Sequence, residues 1–340
     1  MNKYYCGLDV SNKSTAICVV NEAGKIVKEQ FVATSSLELQ KALKGFRGLR
    51  SVVEASSLAE SIVKIVRESG HEIEILDTRQ AKIISATKKK TDKLDARKLA
   101  QMCRVGWYTA VHSKSGKSRS LRSYLTARMQ IVKSATAMHS CIRGLFRAHG
   151  IVLAQGKGED FEKRVREALK GLDEIFCKGI EPLLESWVQL QREEKRMYKE
   201  LRREVVRKDE TVKRLTSIPG VGPATAAAFA ATIDDPRRFT SADQISSYIG
   251  LVPSVYQSGS VEIKGRITKH GDSLLRWLLV ESATTLLTRT KKDCALKRWG
   301  LSLQEKKGFS KARVAVARKL SCLLFHVMRS GQEFESKLAA

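Results

Sequence analysis

Short apolar runs with β-favouring residues dominate the first hundred positions. Tyr4–Val10 is one such run and Ser14–Val20 a second. The Glu22-Ala-Gly-Lys turn then leads into Ile26–Phe31, so the pattern predicts a three-stranded antiparallel meander. After it, spacing predicts a helix over Leu37–Leu43, a strand over Ser51–Ala55, a helix over Leu58–Glu68, a strand over Glu72–Leu76 and a helix over Thr91–Arg104. Beyond residue 110 the period changes to that of helices. Leu121, Leu125, Val132, Ile142 and Phe146 give Ser118–His149 one apolar face. Leu183, Trp187, Leu190, Met197 and Leu201 follow 3-4 spacing, interrupted by Glu194 and Lys208. That seam predicts a two-helix hairpin or coiled coil used for dimerisation, or else a helix packed on its own domain. Residues 216–283 read as a further compact unit, and 284–340 as helical and basic.

Three strands followed by alternating helix and strand is the order of a ribonuclease-H-like fold. The expected class is therefore α/β plus all-α. A catalytic α/β domain spans 1–110, a basic helical and coiled-coil connector 111–215, and a mainly helical domain 216–340. A chain of 340 residues is long enough for about two or three domains.

Charge narrows the function. Lys plus Arg number 62 against 36 Asp plus Glu, a formal charge of +26. A field of that sign draws phosphate polyanions and releases their counterions. Residues 96–158 hold 12 Lys or Arg and no acid at all, and Leu286–Arg329 holds 12 against Asp293 and Glu305. Both read as phosphate-binding surfaces, with a solvated helix face as the plainer alternative. No stretch reaches the ~18 apolar residues of a spanning helix. The N-terminus lacks a signal-peptide core, so a cytoplasmic protein with no membrane partner is expected. The seven cysteines are scattered, without a CxxC pair or Cys/His cluster, and read as ordinary thiols. Aromatics are only 6%, so phosphate contacts are expected to outweigh base stacking.

Four carboxylates suit phosphodiester chemistry. Asp9 lies near the end of the first strand, Glu54 in the strand SVVEAS, and Asp92 and Asp95 in TDKLDARKLA. Spaced i and i+3 on a helix, the last two share one face. Gathered carboxylates repel one another unless hard cations neutralise them. Mg²⁺, with Mn²⁺ able to substitute, accepts carboxylates together with phosphate oxygens. Singly, each acid has a dull explanation: Asp92 as a helix N-terminal acid, Asp95 as a partner of Lys98. Glu54 inside an apolar strand is harder to dismiss.

Two further segments carry candidate chemistry. IPGVGPATA reads as a helix-hairpin-helix, with Gly220 and Gly222 allowing close backbone approach to a phosphate, or as a structural αα-turn. In GLVPSVYQSGS, Ser258 and Ser260 flank Gly259 in a polar, flexible loop. A serine hydroxyl is a weak nucleophile until activated. Lys264, Arg266, Lys269 and Arg276 follow closely and would stabilise charge on a phosphoryl group. With Lys117, Arg119, Arg122, Arg128 and Lys133 they make up the expected nucleic-acid contacts.

The segments GLDVSNKSTAICVV, VVEAS, TDKLDARKLA, IPGVGPATA, GLVPSVYQSGS and GRITKHGD, in this order, resemble the DEDD-type insertion-sequence transposases, relatives of the pilin-gene invertase. The resemblance spans nearly the whole chain. It implies a RuvC-like N-terminal domain whose Mg²⁺-binding carboxylates fall on Asp9, Glu54, Asp92 and Asp95. It implies a nucleophilic serine at Ser258, with Ser260 in reserve, and a phosphoserine link to DNA during strand exchange. It also implies an active site shared between protomers, a homodimer assembling to a tetramer, and a structured non-coding bridge RNA that pairs with donor and target DNA. The setting it implies is a bacterial or archaeal nucleoid. A phosphoserine keeps the phosphodiester energy, so no ATP requirement is expected.

Three other readings compete. A RuvC-like endonuclease would use the same carboxylates with water as nucleophile and would survive loss of Ser258. An actin-like sugar kinase would share the first phosphate loop, but no DxGG-like segment follows residue 110. A non-catalytic nucleic-acid-binding protein would leave the carboxylates unexplained.

Overall fold

A computed structural model describes residues 3–77, 91–154, 156, 158–258 and 261–334. The chain divides into two compact units, Met1–Lys114 and Ser115–Ala340.

The first unit is a mixed sheet with helices on both faces. Its elements are β1 (Tyr4–Val10), β2 (Ser14–Asn21), β3 (Ile26–Ala33), α1 (Ser36–Leu43), β4 (Arg50–Glu54), α2 (Ala59–Glu68), β5 (Glu72–Leu76), α3 (Asp92–Val105) and β6 (Ala110–Val111). The strand order is β3-β2-β1-β4-β5-β6, with β1, β4 and β5 parallel and the other pairings antiparallel. This arrangement is consistent with a ribonuclease-H-like domain, and it follows from the residues. Cys6 and Leu8 join Leu39, Leu43, Val53, Ile62 and Val63 beneath α1 and α2. The alternate row, Tyr5 with Val52, Ala16 and Cys18, packs under Ala96, Leu99, Ala100 and Cys103 of α3. Strands covered on both faces read as near-continuous apolar runs, which is why they stand out in the sequence. The edge strand β6 has two residues, too few to show any period.

Gly7 marks the closest approach of α3 to the sheet. A Cβ there would lie 2.2 Å from the Ala96 carbonyl oxygen and 2.3 Å from the Ala100 nitrogen. Only a glycine lets the helix backbone settle against β1.

The second unit is helical. Its elements are α4 (Gly116–Ala148), α5 (Glu159–Leu169), α6 (Glu174–Glu200), a π-helical segment (Leu201–Val206), α7 (Glu210–Leu215), α8 (Pro223–Ile233), α9 (Ala242–Ile249), β7 (Pro253–Ser258), β8 (Val261–Ile267), α10 (Ser273–Thr288), α11 (Ala295–Lys307) and α12 (Phe309–Ser330). α4 and α6 form an antiparallel hairpin. Ile142, Phe146, Phe161, Ile180, Leu184 and Trp187 fill its core. The 3-4 seam on α6 is therefore covered within the chain: Trp187 is 3% exposed and packs against α4 and α5. Glu194, which interrupts the seam, pairs with Arg128 of α4.

A second, larger core joins Leu125 of α4 to Val212, Phe229, Ile245, Leu279, Leu286, Leu320 and Phe325. Gly220 stands at φ +83° in the turn between α7 and α8. A Cβ on it would come 2.8 Å from the Ser282 carbonyl oxygen and 2.9 Å from Leu286 Cβ. The close approach this glycine permits is thus to α10. Nearby, the buried hydroxyls of Thr225 and Ser282 share a 2.8 Å hydrogen bond. Among the described residues no helix is long and apolar enough to cross a membrane.

Candidate active site and nucleic-acid interface

The first unit brings the four predicted carboxylates toward the C-terminal ends of the central strands β1 and β4. In β1, Tyr5 and Gly7 face α3. Asp9 continues that row, since alternate residues share a face. In β4, Val52 faces α3, and Glu54 continues its row in the same way. Leu8 pairs with Val53 in the parallel register, so Asp9 and Glu54 end neighbouring strands. α3 runs opposite to both strands: Cys103, near its end, donates to the Arg50 carbonyl where β4 begins. Its first turn therefore lies over the strand ends, and Asp92 and Asp95 are in that first turn. Thr91 caps the helix by accepting from the Leu94 N–H at 3.3 Å. The cap fixes where the helix starts and puts both acids at the positive end of its dipole.

Asp9, Glu54 and Asp95 are half-buried and Asp92 is exposed. Asp95 accepts from Lys98 at 3.4 Å, the pairing its spacing suggests. Asp9 and Glu54 are also engaged by other groups. Among the described residues no three His, Cys, Asp or Glu side chains converge as a ready-made metal cage. The donor chemistry is nonetheless that of a hard cation: carboxylate oxygens only, without a thiol or imidazole in the set.

One pair of cations on α3 escaped the sequence reading. Glu29 of β3 accepts from Arg97 Nε at 2.5 Å and Nη2 at 2.9 Å, and from Lys93 Nζ at 2.8 Å. The Arg97 hydrogen bond, with Lys93 behind it, pulls the Glu29 carboxyl down to about 2. Gln101 and Arg104 of the same helix reach the carbonyls of Gly24 and Glu22 in the β2–β3 turn. No local pattern links residue 29 to residue 97; only the sheet register does.

The serine loop is carried between two strands that the sequence reading leaves unassigned. Ser258 ends β7, and its backbone pairs with Val261 at the start of β8. The segment is a two-stranded ribbon whose connection is two residues long. Gly259 and Ser260 lie outside the described residues. The signal was present: alternating VPSVYQS and VEIKGRI around a Gly-Ser pair is a hairpin pattern. The ribbon is exposed, with Tyr256 at 69% and its cross-strand partner Ile263 at 57%. Arg266 and Lys269 are exposed at and after its end.

The basic residues of α4 are less bare than their stretch suggests. Lys117 pairs with Asp209 at 2.7 Å, Arg122 with Asp272 at 2.5 Å, and Arg128 with Glu194. The missing acidic sign is supplied by other elements of the same unit. Arg119 is likewise engaged. Arg276 donates to the carbonyls of Ile249 and His270, holding the turn before α10. Lys133 is exposed, and Lys264 pairs through its backbone with Val255. Gly222 precedes α8 with open space around it. A groove of about 960 Å³ runs between α4 and the start of α10, lined by Leu125, Met129, Lys133, Thr232, Leu274 and Trp277 among others. It belongs to the second unit, whereas the carboxylates belong to the first.

Comparison with known proteins adds a family to this geometry. Residues 6–150 match the profile of a DEDD-type IS110 transposase domain. Residues 212–299 match the profile described as transposase IS116/IS110/IS902 family. The transposase for insertion sequence element IS1111A of Coxiella burnetii is 27% identical over 337 residues, covering 95% of this chain and 88% of that protein. A probable family 20 transposase of Pseudomonas aeruginosa is 27% identical over 340 residues, covering 96% and 97%. The pilin gene-inverting protein of Moraxella lacunata is 30% identical over 127 residues, covering 36% and 38%.

Proposed function

The chain belongs to the IS116/IS110/IS902 family of insertion-sequence transposases, and we propose that it cuts and rejoins donor and target DNA through a serine-linked intermediate at a metal-binding carboxylate site. A DEDD-type domain implies use of a divalent metal; Mg²⁺ is the ion proposed here. The observation that carries the reading is that Asp9 and Glu54 stand near the C-terminal ends of the adjacent strands β1 and β4, and that the first turn of α3, with Asp92 and Asp95, lies over those ends.

In this reading Asp9, Glu54, Asp92 and Asp95 would hold the metal, which when bound would supply Lewis-acid stabilisation of charge on the attacking and leaving oxygens. The Ser258 hydroxyl attacks the scissile phosphorus. The P–O bond to one deoxyribose oxygen breaks, and that oxygen leaves with a proton. The phosphorus is then linked to serine and the remaining sugar oxygen, still a phosphodiester, with one ester bond exchanged for another. A sugar hydroxyl of the other DNA attacks in turn, and serine recovers its proton. Because the bond count is conserved, no nucleotide cofactor is required. Ser258 stands at the turn end of an exposed ribbon whose opposite end carries Arg266 and Lys269, a placement suited to a nucleophile that meets DNA held on the carboxylates of a second protomer while the cations hold the backbone farther along. Lys133, Arg266 and Lys269 supply phosphate contacts, and Gly222 at the start of α8 supplies the proposed helix-hairpin-helix contact. Sequence choice falls to a bridge RNA pairing with both DNAs, which leaves protein side chains to read backbone and shape.

The test is single replacement of Asp9 or Asp95 by Asn in purified protein given donor DNA, target DNA, Mg²⁺ and RNA from the element's flanks. Each variant is expected to bind DNA as wild type does and to form no cleaved or joined product. Wild-type cleavage by either variant contradicts the carboxylate assignment. Recombination undiminished without RNA contradicts the guide.

A further inference from the structure

The four carboxylates come from three elements, and two of them ride on α3. Anything that turns α3 about its axis moves Asp92 and Asp95 relative to Asp9 and Glu54. The helix is held on the sheet by Gly7, Ala96 and Ala100. Small side chains in contact fix the distance between helix and strand but offer little grip against rolling, and the larger Leu99, Met102 and Cys103 pack on the sheet farther along the helix, away from its first turn.

Near the first turn the polar grip comes from one flank. At 3.6 residues per turn, Lys93, Arg97, Gln101 and Arg104 fall along one side of α3, and Asp92 and Asp95 fall toward the other. Every member of the first group is tied to the β2–β3 hairpin. Gln101 and Arg104 reach backbone carbonyls of its turn. Lys93 and Arg97 share the carboxylate of Glu29, whose side chain is 15% exposed. The Arg97 contact is bidentate, which fixes orientation as well as distance. The Glu29 contacts are those nearest the first turn.

We propose that Glu29 is a positioning residue that sets the roll of α3 and so the placing of Asp92 and Asp95 for metal binding. The proposal rests on the carboxylate reading above. Glu29 touches no reacting group; it acts through Lys93 and Arg97. The leverage is direct. A carboxylate about 5–6 Å from the helix axis moves about 1 Å for each 10° of roll. Outer-shell partners that orient metal ligands change metal affinity by about 10–100-fold.

Mn²⁺ binding to the full-length protein, followed by calorimetry or by the spin-resonance signal of free Mn²⁺, tests this without relying on turnover. Glu29→Gln keeps the shape but loses the charge and the two-pronged acceptor. It is expected to bind Mn²⁺ about 10-fold more weakly, to keep wild-type helix content, and to regain cleavage as Mn²⁺ is raised. Glu29→Asp, which restores the charge, is expected to recover part of that loss. Asp95→Asn, measured alongside, is expected to lose the binding outright. Wild-type Mn²⁺ affinity in Glu29→Gln with loss in Asp95→Asn overturns the positioning role and leaves the carboxylate reading standing. Wild-type affinity in Asp95→Asn overturns both. Should Glu29→Gln not fold, Arg97→Lys breaks the bidentate contact while keeping charge, and a weakened Mn²⁺ affinity is expected there too.

Discussion

Gly7→Ala adds one methyl group where the helix carrying two candidate ligands rests on the strand carrying a third. The new Cβ would sit 2.2 Å from the Ala96 carbonyl oxygen, 2.3 Å from the Ala100 nitrogen and 2.7 Å from Leu99 Cβ. Two of these atoms are helix backbone and cannot swing aside. To restore ordinary contact, α3 must withdraw by about 1 Å. Overpacking of a filled core costs about 1–3 kcal/mol, and a backbone clash belongs at the upper end. In a unit of this size that lowers the unfolding midpoint by about 10 °C. A 1 Å misplacement of catalytic groups costs about 100-fold in rate, so cleavage should fall more than folding does. The assay is thermal unfolding by circular dichroism beside Mg²⁺-dependent cleavage of donor DNA. Gly144→Ala is the control. Gly144 lies within α4 with nothing inside 4 Å of an added Cβ. Its replacement should stabilise by about 1 kcal/mol at most. A Gly7→Ala protein with wild-type unfolding and cleavage would refute the account of how α3 seats on β1.

Further outcomes follow from individual contacts. Glu29, drawn down to about 2 by Arg97 and Lys93, stabilises the fold only while ionised. The stability gap between wild type and Glu29→Gln should therefore hold at neutral pH and close as pH falls from about 4.3, the unfolded carboxyl value, toward 2, as read from unfolding midpoints across pH. Arg128 and Glu194 pair with side chains only 14% and 26% exposed. Arg128→Ala should cost about 2 kcal/mol in denaturant unfolding, between the values for surface and buried pairs. Lys133→Ala should leave stability unchanged and lower the salt slope of DNA binding by about one, in titrations at several salt concentrations. Burial pushes the Cys18 and Cys103 thiols up to about 11, while Cys141 is exposed. A thiol reagent at pH 8 should modify Cys141 first, and should reach Cys18 and Cys103 only on unfolding, as mass spectrometry of the labelled protein would show.

The catalytic unit was legible because its signals are local. Strands buried on both faces show as apolar runs, and the helix Thr91–Arg104 shows in its spacing. Asp9 and Glu54 stood out because carboxylates interrupt such runs. What the sequence concealed was non-local. Glu29 finds Arg97 across 68 positions through a strand register. The cations of α4 looked unopposed because Asp209, Glu194 and Asp272 lie far along the chain. The glycine of PGVG reads first as a phosphate cradle, with a structural turn as the alternative. Only the nearness of Ser282 and Leu286 shows that Gly220 serves packing. The strands flanking the serine loop went unread because Gly and Ser outweighed the alternation on either side of them.

The central claim is that a serine, rather than water, takes the scissile phosphate. Donor DNA labelled at its cleavage end, target DNA, flank-derived RNA and Mg²⁺ are mixed with wild type, Ser258→Ala and Ser260→Ala, and resolved under denaturing conditions. The account predicts a labelled protein–DNA adduct in wild type and Ser260→Ala that is absent from Ser258→Ala. Cleaved DNA without an adduct, undiminished in Ser258→Ala, would contradict it and make the carboxylate site a hydrolase.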